Sequence, residues 1–152
     1  MNNYPKVYLL LLLFIFLSAC QDSETDTNSW DACFSCTVDS WTGDFAGTCD
    51  YFDAATNSTV NDLPFNLTIE ETASEYFTVY IIVPNYYSAT ISGEFSNPNY
   101  ISFGGSSVSL SANLYSKESQ FRLTGSSKKY HMKVDSLVID QVLNFESLKQ
   151  VE

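Results

Sequence analysis

Besides Cys20, four side chains stand out as able to carry covalent or metal chemistry: Cys33 and Cys36 in Cys33-Phe34-Ser35-Cys36, then Cys49, then the single histidine, His131. The Cys-x-x-Cys spacing is that of a redox dithiol. Such motifs sit at a helix start beside a βαβ unit, and no such unit follows here. Three thiols with His131 could hold zinc. Structural zinc sites, however, are built from paired two-ligand clusters, and the chain offers one. In an oxidising compartment a disulfide is the default. Cys33–Cys49 and Cys36–Cys49 both remain open, and either would pin the segment before the domain to its first strand.

Any Ser-His-Asp or Cys-His device must use His131. Alternation in Tyr130-His131-Met132-Lys133 turns it outward with Lys133. No Gly-x-Ser-x-Gly elbow exists, and Gly104-Gly105-Ser106-Ser107 is not followed by a helix, so it is no phosphate loop. Asp44 with Asp50, or Glu70 with Glu71, could supply a glycosidase pair, but these acids fall on strand positions that read as solvated. Asp22, Glu24 and Asp26 lack the glycine and bidentate acid of a calcium loop. The expectation is a protein without catalytic residues, metal or cofactor.

The aromatic content is more informative, with ten tyrosines. Tyr86 and Tyr87 follow Pro84-Asn85, and Tyr100 follows Asn97-Pro98-Asn99. Aromatics beside asparagine-rich turns can form stacking platforms for sugars or apolar ligands. The competing reading is that they fill or cap a small core. Tyr86, Tyr87 and Tyr100 are therefore the candidate ligand-binding residues.

The elements that must position them read as short strands. Trp41 to Asp53 alternates, with Trp41, Phe45, Cys49 and Tyr51 on one side. Phe65 to Glu70 alternates again. Tyr76 to Val83 is aromatic and β-branched without clear alternation, which suits a strand buried on both faces. Tyr87 to Phe95, Tyr100 to Phe103, Val108 to Leu114 and Phe121 to Gly125 follow. Ser126 to Lys129 reads as a turn, and the last elements run from Tyr130 to Ile139 and over Val142 to Phe145. No window has helical periodicity. Turn signals every eight to twelve residues indicate an all-β sandwich or barrel. The short connections favour an antiparallel meander, and closure would remove exposed edges.

The first 19 residues set the address. Lys6 precedes an uncharged apolar run, Val7 to Leu17, that suits a signal-peptide core and is short of the ~20 residues a membrane span needs. Leu17-Ser18-Ala19-Cys20 resembles the lipobox of bacterial lipoproteins. The resemblance implies cleavage before Cys20 and acylation of Cys20, with membrane attachment through that anchor. The acidic run Gln21 to Ser29 reads as a solvated tether. It also resembles the surface-export signal of Bacteroidetes lipoproteins, which implies an outer-membrane protein facing outward. The division is then 1–19 signal peptide, 20–37 lipidated cysteine and tether, and 38–150 barrel domain. The formal charge of −11 becomes more negative when the leader, with its Lys6, is removed. Phosphate backbones repel such a chain, which argues against nucleic acid as a partner.

Trp41-Thr42-Gly43-Asp44-Phe45-Ala46-Gly47-Thr48, with the Ile91-Ser92-Gly93 and Leu123-Thr124-Gly125 strands and the Val134 to Asp140 segment, resembles the lipocalin-like lipoproteins of Bacteroidetes. The resemblance spans roughly residues 38–148 and implies a small antiparallel barrel. It brings no catalytic residue. The functional expectation is a non-enzymatic module for a small apolar or sugar ligand. The alternative is an accessory subunit of an outer-membrane complex, with an envelope protein as partner.

Overall fold

The computed structural model describes residues 29–151. Cys20, the leader and most of the acidic tether lie outside the described residues. Nine strands and one helical turn follow in order: β1 Asp31–Ala32, α1 Val38–Trp41, β2 Gly43–Asp53, β3 Ser58–Ala73, β4 Tyr76–Val83, β5 Tyr87–Glu94, β6 Tyr100–Gly104, β7 Val108–Lys117, β8 Gln120–Lys133 and β9 Ser136–Lys149. All pairings are antiparallel and form one sheet.

The chain is an all-β meander that curls into a nearly closed barrel. β2 to β5 pair in sequence, β6 to β9 pair in sequence, and β9 returns to lie beside β2. β5 and β6 are not paired, so the barrel keeps one seam. Phe103 fills part of that seam. Its ring lies over Gly93, where an added Cβ would come within 2.1 Å of Phe103 Cδ1. A glycine is needed there for the two strands to approach.

Period two explains the core. Phe45, Cys49 and Tyr51 of β2 point inward, as do Phe65, Leu67 and Ile69 of β3 and Leu110, Ala112 and Leu114 of β7. Phe65 and Phe145 stack with centroids 4.5 Å apart. Each such side chain contributes about 1.5–3 kcal/mol on burial. The interior is filled by these side chains.

The two ends differ. At one, α1 lies across the opening. Trp41 is fully buried there, donates from Nε1 to the Pro98 carbonyl at 2.8 Å, and meets Phe95 edge-on at 6.4 Å. Lys149 Nζ reaches the carbonyls of Asp39 (2.6 Å) and Ser40 (3.3 Å), tying α1 to the end of β9. The chain enters at this closed end, where Asp31 and Ala32 pair with Ser116 and Tyr115. The opposite, open end carries the β2–β3, β4–β5, β6–β7 and β8–β9 turns.

Several local expectations change. Trp41 lies in a helical turn, and β2 starts at Gly43. β4 alternates cleanly: Phe77, Val79, Ile81 and Val83 point in, while Tyr76, Tyr80 and Ile82 point out and are exposed. Apolar residues on both faces hid the period. Ser126 to Lys129 is the middle of the long strand β8, and the chain turns instead at Val134-Asp135, both with positive φ. The packed domain also reaches further towards the N-terminus than the boundary at 38. β1, the buried Cys33 and Cys36, and Trp30 over Arg122 at 4.9 Å all precede it.

The disulfide is a further correction. Cys33 joins Cys36, with Cα atoms 5.4 Å apart, and Cys49 is a buried free thiol. The pairings with Cys49 fail because of sheet order. β1 lies against β7, which is separated from β2 by β8 and β9.

Candidate functional site

The open end holds a pocket of about 520 Å³. Five regions of the chain build it: the end of β2, the start of β5, the β6–β7 turn, β8 around Lys129 and β9 around Gln141. Asp53, Ala89, Ser107, Lys129, Tyr130 and Gln141 are among its lining residues. Strand register explains the convergence. Asp53 pairs with Gln141, which pairs with Lys129, which in turn faces Val108. Four residues far apart in sequence thus form one row around the mouth.

Hydrogen bonds fix the floor and rim. Gln141 Nε2 donates to the Tyr51 hydroxyl at 2.7 Å, and that hydroxyl lies 3.3 Å from Asp53 Oδ2. Asp53 Oδ1 accepts from the backbone N–H groups of Ala55 (2.8 Å) and Thr56 (3.2 Å), which shapes the β2–β3 turn. Deeper in, Ser127 Oγ donates to the Ser109 carbonyl at 3.0 Å, and the Tyr87 hydroxyl meets Ser127 Oγ at 2.7 Å. The Tyr130 hydroxyl lies 3.0 Å from Ser109 Oγ. Lys129 Nζ sits 4.5 Å from the centre of the Tyr87 ring. Burial, and next the Asp53 carboxylate, push the Tyr51 hydroxyl pKa up. Burial also raises that of Tyr87, against the lowering effect of its bond to Ser127.

The three tyrosines expected to bind ligand do not form one site. Tyr86 stands exposed at the open end, its ring 5.5 Å from that of Tyr51. Tyr87 is buried below the pocket and holds Lys129 over its ring. Tyr100 begins β6 at the closed end, a strand's length from the other two. Hydrogen bonds to Ser102 and Ser111 lower its pKa. Tyr51, Asp53, Lys129 and Gln141 were not singled out in the sequence. Each is an ordinary strand residue locally, and register alone brings them together.

The thiols lie elsewhere, and the histidine lies against Asp140, a residue that lines the pocket. His131 contacts Asp140 through Nδ1 on the β8–β9 hairpin. Beyond Lys129 and Gln141 the strands of this hairpin ladder only with each other, but its base stays tied to the barrel: the Tyr130 N–H donates to the Ser107 carbonyl at 2.9 Å and the Ala54 N–H to the Asp140 carbonyl at 2.8 Å. Cys49 faces the interior, where burial, and then the charge of Asp50, push its thiol up to about 11. The set Cys33, Cys36, Cys49 and His131 is therefore not assembled. Among the described residues, no group of three or more His, Cys, Asp or Glu side chains could hold a metal ion. Nor is any helix among them long and apolar enough to cross a membrane.

Compared with family models, curated proteins and solved structures, the chain gives no match.

Proposed function

We propose that this protein is a lipid-anchored envelope lipoprotein of lipocalin-like type, whose barrel binds a small sugar-like ligand at its open end without chemistry of its own. The observation that carries the reading is the mouth pocket, about 520 Å³ in volume and lined by polar groups from β2, β8 and β9 beside Ala89 and Val108. Binding sites of this size are concave and orient their ligand with a few placed polar groups. The filled barrel interior favours a hydroxylated ligand at the mouth over an apolar one inside.

The anchor reading rests on Leu17-Ser18-Ala19-Cys20 and the acidic residues after it. It is consistent with the chain's entry at the closed end. A lipid on Cys20 would then leave the mouth facing away from the membrane, towards the outside in a surface-exposed protein. The reading without chemistry rests on the sequence, which offers one histidine and no nucleophile elbow.

One observation favours a second reading, an accessory subunit of an outer-membrane complex. Met132, Val134 and Leu137 on the protruding hairpin are 65%, 92% and 52% exposed, and apolar groups gathered at one tip mark contact surfaces. Native mass spectrometry of protein gently extracted from its own membranes separates the two. A stable small added mass supports the carrier. A co-purifying protein without it supports the subunit and overturns the carrier. Labelled palmitate that fails to enter the wild-type chain, or enters Cys20→Ser equally, overturns the anchor.

A further inference from the structure

We infer that the mouth pocket takes a ligand bearing a carboxylate, a sugar acid or similar hydroxy acid, with Lys129 as the residue that pairs its charge. This rests on the pocket reading above and narrows it.

The argument starts from the partners of the charged groups around the pocket. Asp53 is held by hydrogen bonds and keeps its charge: Oδ1 accepts two backbone N–H groups and Oδ2 accepts from the Tyr51 hydroxyl. Asp140 meets the His131 ring. The ion pairs formed among the described residues are Arg122–Glu146 and His131–Asp140, and neither includes Lys129. Its ammonium rests over the Tyr87 ring at 4.5 Å. That contact is attractive and steers the group, but it supplies no anion.

The ring under the ammonium is fixed from below. Tyr87 is buried, and its hydroxyl is held by Ser127, which is held by the Ser109 carbonyl. The ring therefore cannot swing away. A cation held over a fixed ring gains from an anion that enters the same pocket. Ser107 and Thr90 line that space too, and such hydroxyl-bearing residues suit the hydroxyls of the ligand. A neutral sugar would meet these hydroxyls but give the ammonium no direct ion-pair partner.

The test is isothermal titration of the full-length chain in detergent with D-galacturonate and D-glucuronate, against D-galactose and D-glucose. Wild type, Lys129→Gln and Lys129→Arg are compared, with thermal midpoints to check folding. The expected result is binding of an acid at least about tenfold tighter than its neutral counterpart. Lys129→Gln should lose about tenfold for the acid, and Lys129→Arg should retain it. Equal affinity for acid and neutral sugar, unchanged in Lys129→Gln, overturns the charge inference and leaves the pocket reading standing. No binding of any of the four sugars below about 10 mM overturns both.

Discussion

The Tyr87 and Ser127 hydroxyls meet at 2.7 Å between β5 and β8, on opposite walls of the barrel. Both residues are buried. Ser127 uses its proton on the Ser109 carbonyl, so Tyr87 is the donor to Ser127. The two deletions are therefore unequal. Tyr87→Phe removes a donor and leaves Ser127 satisfied, and should cost about 0.5–1.5 kcal/mol. Ser127→Ala leaves a buried phenol without its acceptor and should cost about 1–3 kcal/mol. Urea denaturation of both variants checks the order. A Tyr87→Phe variant less stable than Ser127→Ala would overturn the assignment.

That pair also shows why the sequence was legible only in part. β2, β5 and β7 could be read because their inward residues are apolar and their outward ones polar. Ser126-Ser127-Lys128-Lys129 read as a turn because it is polar throughout. Its inward serine is matched by a tyrosine 40 residues away, a partner no local pattern reveals. The pocket escaped for the same reason. Tyr86 and Tyr87 are neighbours in sequence, and their local turn could be recognised. Lys129, Gln141 and Asp53 meet only through the registers of three strands.

Trp41 closes the barrel opposite the pocket, with its indole N–H on the Pro98 carbonyl at 2.8 Å. Trp41→Ala should cost about 3–5 kcal/mol, because the hole lies between α1, Phe95 and the β5–β6 connection. Trp41→Phe keeps most of the apolar contact and leaves the carbonyl without this donor, so about 1–2 kcal/mol is expected. Equilibrium unfolding in urea measures both. Near-wild-type stability of Trp41→Ala would show that α1 is not a structural plug.

Val134 occupies the tip of the β8–β9 hairpin with φ of 41°, next to Asp135 at 62°. The left-handed region is costly for a β-branched residue, and two-residue hairpin loops prefer asparagine or glycine there. Val134 is also 92% exposed, so its side chain contributes little packing in return. Val134→Asn should therefore raise stability by up to about 1 kcal/mol. A thermal midpoint above that of the wild type is the expected reading. A fall would mean that the valine is held by contacts at the tip.

Cys49 makes stability depend on alkaline pH. Its thiol titrates at about 11 in the folded protein against 9.0 as the reference value, because it is buried and, secondly, because Asp50 lies beside it. Between those values the unfolded chain has released the proton and the folded chain still holds it. The folded state binds more protons there, so stability falls as pH rises through that window. Tyr51 and Tyr87, also raised, act in the same direction at slightly higher pH. Lys149, lowered chiefly by burial, acts in the opposite sense. Urea midpoints measured from about pH 8 to 10.5 should decline in the wild type and decline less steeply in Cys49→Ala. The same burial predicts that iodoacetamide spares Cys49 at pH 8 until denaturant is added, since roughly one thiol in a thousand is ionised there. Parallel pH slopes, or rapid alkylation of the native protein, would show that Cys49 is reached by water and does not face a packed core.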